Sequence, residues 1–130
     1  MNEFSHSLSV SASGLKAQAA RLRHVSENIA NADTPGYRRK AIPFEATYAA
    51  QDGISRVATG RVKLDQSDLK QIYDPSHPLA DESGHHDGSN VDLVVEIADA
   101  REAQRSYEAN LKMFEQAREM SSGLMDLLRR

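Results

Sequence analysis

The sequence predicts a mainly α-helical protein, in which long N- and C-terminal helices pair as a coiled-coil-like hairpin around an irregular or short-stranded β middle segment. Apolar residues recur in helical steps near both ends of the 130-residue chain, whereas Gly, Pro, Asp and Ser are scattered through its middle. Aromatic residues make up only 5% of the chain. This composition favours helices that bury narrow stripes over a thick globular core. We therefore divide one domain into residues 1–37, 38–90 and 91–130.

The N-terminal helix is predicted over residues 4–31. Leu or Ile recurs at intervals of seven residues, and a Phe and a Val lie on the flanking seam, which is a heptad-like pattern. Gly14 is the weak point of this helix, because Gly costs about 1 kcal/mol relative to Ala. The residues that we expect at an assembly interface are Phe4, Leu8, Leu15, Leu22, Val25 and Ile29.

The C-terminal helix is predicted over residues 91–128, with Ser89 or Asn90 capping its start and Asp92 in its first turn. Its apolar residues follow in steps of three or four that average about 3.5, which favours a gentle left-handed supercoil. We expect this stripe, with one polar member, to form a second assembly interface: Leu93, Ile97, Tyr107, Asn110, Leu111, Phe114, Met120 and Leu124.

Two long helices joined by a middle segment pair most simply as an antiparallel hairpin. Each apolar stripe covers more length than one partner of unequal size can bury. The apolar surface that remains predicts assembly with other chains.

The middle segment, residues 38–90, is predicted to be a weak β-rich insert. Arg61–Leu64 alternates polar and apolar residues as a half-buried strand does, and Gln71–Tyr73 is a second short strand candidate. Two prolines make Asp74–Pro78 a turn. The polar, glycine-bearing stretch Asp81–Asn90 is expected to be a loop or partly disordered.

An emphatic turn motif follows the first helix. Asn31 stands where a C-cap in the left-handed conformation is expected, and Thr34–Tyr37 has the pattern of a type II turn. Arg38–Lys40 is a cationic cluster near the negative end of the helix. The motif is either a stop signal with a solvated basic patch or a rigid positioning device. Its residues are Asn28, Ala30, Asn31, Thr34, Pro35, Gly36, Tyr37 and Arg38.

The chemistry of an enzyme is not indicated by the sequence, and we predict no catalytic residue, metal site or cofactor. There is no Cys, which excludes thiol catalysis and zinc–thiolate sites. His77, His85, His86 and Asp87 lack an ordered metal-ligand spacing. A net charge of −3 gives no basic field for nucleic acid, and no apolar run is long enough to span a membrane. The N-terminus lacks the pattern of a cleaved secretory signal.

Two stretches resemble one protein family. SENIANADTPGYRR, at 26–39, resembles the N-terminal motif shared by the axial proteins of the bacterial flagellum, and RSYEANLKMFEQAREM, at 105–120, resembles their C-terminal helix. IYDPSHPLADESG, at 72–84, and the start of the last helix resemble the proximal rod members in particular. The chain departs from the family pattern at Ser89, where Pro is usual, and at Ile97, where Met is frequent.

The resemblance implies a structural subunit of the proximal rod, in the periplasmic part of the basal body, that helps to transmit torque for motility. It also implies export through the flagellar type III apparatus without a cleavable signal, and terminal helices that order on assembly. The implied partners are other copies of the chain, other rod proteins, the rod–export gate adaptor and the export apparatus. Two alternatives are a cytoplasmic helical adaptor that binds a partner helix and a small metal-binding protein built on the His-rich loop.

Overall fold

The computed structural model describes residues 2–129, so the two end positions of the predicted segments 1–37 and 91–130 lie outside the described residues. Two long helices pack against each other, and six short strands lie between them in sequence. The mainly α fold with a short-stranded middle is therefore confirmed. In chain order the elements are α1 (Asn2–Ala30), β1 (Lys40–Ala41), β2 (Phe44–Ala49), β3 (Ile54–Thr59), β4 (Lys63–Leu64), β5 (Gln71–Tyr73), β6 (His85–Asp87) and α2 (Leu93–Leu128).

The two helices run antiparallel, as predicted. Arg21 on α1 contacts Glu102 on α2, and Asn28, further along α1, contacts Glu96, which lies earlier on α2. The helices approach each other closely at Gly14, where an added Cβ would lie 2.7 Å from Oδ1 of Asn110. Gly14, predicted as a weak point of the helix, is thus the residue that lets α2 come close.

The start of α2 differs from the prediction. Asp92 is the N-cap, because its carboxylate accepts a hydrogen bond from the backbone N–H of Val94 at 3.0 Å. The helix therefore begins at Leu93, and the prediction that Ser89 or Asn90 caps it is wrong. Asp92 stands before the first turn rather than in it.

The contact between the helices is made mostly by small and polar residues, and it lies beside the predicted leucine stripe. At 3.6 residues per turn, Leu15 points about 100° away from Gly14 around the helix axis. The leucines of the stripe are consequently only half-buried, and Ile29 is 37% exposed. The residues buried on the two helices are Ser11, Gly14, Ala17, Val25, Asn28, Glu96, Ala103 and Ala117.

The strands β1–β4 form one long bulged hairpin. Lys40 pairs with Leu64 in the β1–β4 ladder, and Phe44 pairs with Thr59 in the β2–β3 ladder. Only Ile42 and Pro43 separate β1 from β2, whereas three residues separate β3 from β4, so one extra residue bulges. The bulge explains why Arg61–Leu64, predicted as one strand, contributes only Lys63 and Leu64 to β4. The sequence analysis missed β2 and β3.

The strand β5 is confirmed over Gln71–Tyr73, and it pairs with β6 inside the stretch predicted as a loop or partly disordered. The prediction of a loop is therefore wrong for His85–Asp87, whereas the rest of the stretch is turn and loop. The strand is ordered because the stretch is held by its own turn. The carboxylate of Asp81 accepts hydrogen bonds from the backbone N–H groups of Ser83 and His85, at 2.9 and 3.0 Å. His86 is only 8% exposed, and its ring stacks on His77 with a centroid separation of 3.8 Å.

Across residues 2–129, neither helix combines the length and the apolar character that crossing a membrane requires.

Candidate functional site

The predicted type II turn is present at Thr34–Tyr37. The backbone N–H of Tyr37 donates to the carbonyl of Thr34 at 3.2 Å, and Gly36 has a φ of 75°. Nothing lies within 4 Å of a Cβ built on Gly36, so this position needs Gly for its backbone conformation and not for space. The N–H of Gly36 donates to the carbonyl of Gly88 at 3.1 Å, which ties the turn to the end of β6.

Asn31 ends α1 in a different way from the one predicted. No residue other than Gly has a positive φ within residues 2–129, so Asn31 is not in the left-handed conformation. Its side-chain Nδ2 instead donates to the carbonyl of Glu27 at 2.9 Å, and its Oδ1 accepts from Thr34 Oγ1 at 3.1 Å. The prediction placed the end of the helix at the right residue, but the predicted left-handed conformation of Asn31 is wrong.

Asn28 is the centre of the turn motif. Its side chain is completely buried. Oδ1 accepts from the Tyr37 hydroxyl at 2.7 Å and from the Lys40 N–H at 2.9 Å, while Nδ2 donates to the Lys40 carbonyl at 2.9 Å and to Glu96 Oε2 at 3.3 Å. One amide thus joins α1, the turn, β1 and α2, and its four hydrogen-bonding positions are all used.

A buried carboxylate lies next to this amide. Glu96 is 0% exposed, and it accepts a hydrogen bond from Nε of Arg39, whose Nη2 also donates to Asp99 at 2.7 Å. Burial alone would lower the pKa of the Arg39 guanidinium, but the hydrogen bond and the negative charges of Glu96 and Asp99 outweigh it and raise that pKa. The guanidinium therefore stays charged, and its contacts with Glu96 and Asp99 fix the start of α2 against the turn.

The cationic cluster after the turn is not a solvated patch. Arg38 donates to the carbonyls of Asp65 and Ser67 at 3.2 and 3.0 Å, and Lys40 forms an ion pair with Glu27. With Arg39 on Glu96, each of the three cations has a specific protein partner. The structure therefore supports the positioning interpretation of the motif over the simple stop signal.

The residues expected to cap α2 close this cluster instead. Asn90 accepts from the Arg39 N–H at 2.6 Å and donates to the Asp65 carbonyl at 2.9 Å, and the Ser89 hydroxyl donates to the Ala32 carbonyl. Both residues bridge segments that are far apart in sequence. No local pattern could have placed them here.

Sequence reasoning missed Arg39, Glu96, Asp99 and Asn90 as members of the site. One signal was available for Glu96, since it precedes the small residue Ala103 by seven positions and so lies on the same helix face. A charged residue on the face of α2 that packs against α1 indicates a buried polar contact, and Asn28 near the end of α1 is a polar partner for it.

The predicted interface residues differ in how far they are buried within the single chain. Among those on α1, Val25 is buried in the α1–α2 contact, Ile29 is exposed, and the others are half-buried: Phe4, Leu8, Leu15 and Leu22. On α2, four are half-buried, namely Tyr107, Asn110, Phe114 and Leu124, and four are exposed, namely Leu93, Ile97, Leu111 and Met120. Their role in contacts with other chains stays a prediction.

The part of the chain described by the structure contains no group of three or more His, Asp or Glu side chains arranged to hold a metal ion. The polar cluster around Asn28 and Glu96 is composed of hydrogen bonds and ion pairs. Its geometry supports a structural joint.

The ion pairs predict a loss of stability in acid. The hydrogen bond from Lys40 lowers the pKa of Glu27, and the one from Arg56 lowers the pKa of Asp52. Stability from these groups is fully present above the unfolded-chain pKa of about 4 and is lost as pH falls through the lower folded-state values. We expect the melting temperature, measured by circular dichroism, to fall as the pH is lowered below about 5, because these carboxylates then begin to bind protons more readily in the unfolded chain than in the folded one.

Glu27→Gln is the matched test of this prediction, because it keeps the side-chain shape and removes the titrating group. The variant should lose part of the acid dependence of the wild-type chain. An unchanged slope of melting temperature against pH would show that the Glu27–Lys40 pair does not contribute.

The sequence of the chain is similar to those of known proteins, both at its two ends and over nearly its whole length. The sequence pattern of the family described as flagella basal body rod protein matches residues 8–38, and that of the flagellar basal body rod FlgEFG protein C-terminal region matches residues 82–127. The flagellar basal-body rod protein FlgC of Agrobacterium fabrum is 42% identical over 136 aligned positions, which cover 99% of this chain and 98% of the relative. FlgC of Aquifex aeolicus is 36% identical, with 92% and 93% covered, and FlgC of Bacillus subtilis is 34% identical, with 82% and 85% covered. The two matched ends coincide with the two helices and the turn, and the chain belongs to the FlgC family of flagellar basal-body rod proteins.

Proposed function

We propose that the chain is a non-enzymatic structural subunit of the flagellar basal-body rod, and that α1 and α2 assemble with other copies and other rod proteins into the shaft that transmits torque. Membership of the FlgC family supports this proposal. The observation that carries it is the apolar stripe left open on α2. Leu93, Ile97 and Met120 are 46%, 47% and 53% exposed although they lie on the predicted stripe.

The joint around Asn28 supports a role in carrying mechanical load. It connects α1, the turn and α2 through an amide and a carboxylate that are both completely buried. Such a joint fixes the angle between the helices and the inserted strands, because every group in it loses a partner if one element moves. A subunit that transmits torque requires this kind of fixed angle.

The finer placement of the protein follows from the same proposal. We place it in the proximal rod, in the periplasmic part of the basal body, reached through the flagellar type III export apparatus. The rod–export gate adaptor is the further partner that the family resemblance suggests. The cytoplasmic adaptor remains the second candidate, because exposed stripes on a helical hairpin would serve a partner helix as well.

The first test is the helix content of the purified chain at rising concentration, with sedimentation of the same samples. We expect circular dichroism to show helicity that increases as larger species form, because helices with open apolar stripes gain stability from packing. Ile97→Asp should suppress this increase, whereas Glu108→Gln, on an exposed polar position, should not. A helical monomer whose melting is independent of concentration would contradict assembly through the stripes and favour the adaptor.

Gly36→Val is expected to block assembly more than export. Valine resists the φ of 75° that the turn requires, and nothing else at this position needs a small side chain. Motility on soft agar, with the amount of exported variant measured in the same cells, separates the two effects. Gly36→Asn is the control, because Asn tolerates positive φ and should retain most of the motility. Normal motility of Gly36→Val would rule out a positioning role for the turn.

A further inference from the structure

The outer edge of β2 is open. In the hairpin, β3 lies between α1 and β2, since the N–H of Val57 points away from β2 and donates to the Ser13 hydroxyl at 3.1 Å. The β3 edge is therefore covered by α1 at this point. The other edge of the pair, formed by Phe44–Ala49, faces away from the helix, and five of its six residues are exposed.

The pairing register identifies the backbone groups on this edge. The N–H of Gly60 donates to the Pro43 carbonyl at 2.8 Å, so residues 43, 45, 47 and 49 face β3. The N–H and C=O groups of Phe44, Ala46 and Tyr48 consequently point outward. Within the described residues no hydrogen bond uses them.

Natural proteins protect such an edge with Lys, Pro, a bulge or a covering element. None of these protects β2, whose sequence is FEATYA. Its aromatic side chains are also accessible, with Phe44 38% and Tyr48 69% exposed. A two-stranded hairpin is marginal by itself, and further strands stabilise it.

We propose that β2 of one chain pairs antiparallel with β2 of a second copy, which creates a four-stranded sheet across a two-fold axis. The axis passes through Ala46, so that Phe44 faces Tyr48 of the second copy and Tyr48 faces Phe44. Aromatic residues that face each other across antiparallel strands stabilise a sheet.

Charge selects this register over its neighbour. With the axis at Ala46, Glu45 faces Thr47 of the second copy, and no like charges are opposed. A shift of the axis to Glu45 would place the two Glu45 carboxylates opposite each other, which destabilises the pair. The opposite shift, to an axis at Thr47, would place Phe44 opposite Ala50 and remove the aromatic pairs. The edge is thus complementary to itself with the axis at Ala46, and a second copy is the occupant that it fits.

The contact is separate from the helix stripes on which the proposed function rests. A two-fold contact is closed and stops at a dimer, whereas stacking in a shaft is open and repeats. The β2 dimer therefore forms between chains that are not in the shaft. It dissociates when a chain enters the stack, in which all subunits point in one direction.

Sedimentation equilibrium of the full chain carrying Ile97→Asp, which is expected to suppress association through the helix stripes, tests the proposal. We expect a monomer–dimer equilibrium that Ala46→Pro weakens by about tenfold or more, because the substitution removes one outward N–H from each chain. It leaves the β2–β3 ladder intact, since the Ala46 N–H does not face β3. The far-UV circular dichroism spectrum should accordingly match that of the wild-type chain.

A charge exchange tests the register itself. Thr47→Glu should weaken the dimer, because the introduced carboxylate would lie opposite Glu45 of the second copy at two sites. Adding Glu45→Lys should restore the dimer by making two opposite-charge pairs. Both positions are exposed, so the monomer tolerates the changes. A chain that stays monomeric at high concentration, or a dimer unaffected by Ala46→Pro, overturns the proposal.

Discussion

Replacing Asn28 with alanine is expected to lower the free energy of unfolding by about 3–5 kcal/mol, because it leaves several buried groups without a partner at once. The Tyr37 hydroxyl, the Lys40 N–H and C=O, and Glu96 all use this amide. Burial raises the pKa of Tyr37, so its hydroxyl remains a protonated donor that needs an acceptor.

Urea unfolding of the purified chain, followed by circular dichroism, measures this change. Asn31→Ala is the matched control, since Asn31 is of the same type, lies three residues later, and only completes the end of α1. It should cost about 1 kcal/mol. Equal effects of the two substitutions would mean that the buried cluster gives no more stability than a helix end.

Gly14→Val is expected to lower the free energy of unfolding by about 2 kcal/mol, by forcing the helices apart where Gly14 contacts Asn110. The first carbon of the new side chain would lie 2.7 Å from Oδ1 of Asn110. Asn110 cannot move away freely, because its Nδ2 donates to the Ser106 carbonyl at 2.9 Å. Loss of that hydrogen bond adds to the steric cost.

Gly123→Ala supplies the control for this prediction. Gly123 also lies within a helix, but nothing is within 4 Å of an added Cβ. The change should therefore raise the free energy of unfolding by about 1 kcal/mol through helix propensity alone. Urea unfolding of both variants, and of Gly14→Val with Asn110→Ala, would separate the steric term, because removal of the Asn110 amide should recover part of the loss. A stabilised Gly14→Val variant would contradict the close approach.

Local patterns predicted the elements whose causes are local. The turn at Thr34–Tyr37 and the strand Gln71–Tyr73 were both found, because Pro-Gly chemistry and a short apolar run act within a few residues. The two helices followed from the repetition of apolar steps. The helix ends were less accurate, since Asp92, Ser89 and Asn90 are all chemically able to cap, and only the fold decides which of them does.

The contacts that join distant segments could not be predicted. Asn28 was placed in the turn motif, but its contact with Glu96 spans 68 residues. The strand β6 was missed because HHD has no apolar alternation, and its order comes from Asp81 and the stack on His77. The leucine stripe was predicted as the face of α1 toward its partner helix, whereas the partner packs on small residues, where backbones approach more closely.

The bulge, whose extra residue lies between β3 and β4, has a mechanical consequence. On one side of it, Asn28 of α1 holds the outer edge of the strand at Lys40, and on the other side Ser13 of α1 holds the opposite edge of the hairpin at Val57. The hairpin therefore crosses α1 and is hydrogen-bonded to it at two points, about 15 residues or 22 Å apart along the helix. A force along the helix axis loads the hydrogen bonds at both points together. A force that lifts one end of the hairpin from α1 would break them one after the other. The contacts thus resist a load along the helix axis. A single-residue deletion in the bulge would break the hydrogen bonds at one of the two points while leaving both helices intact.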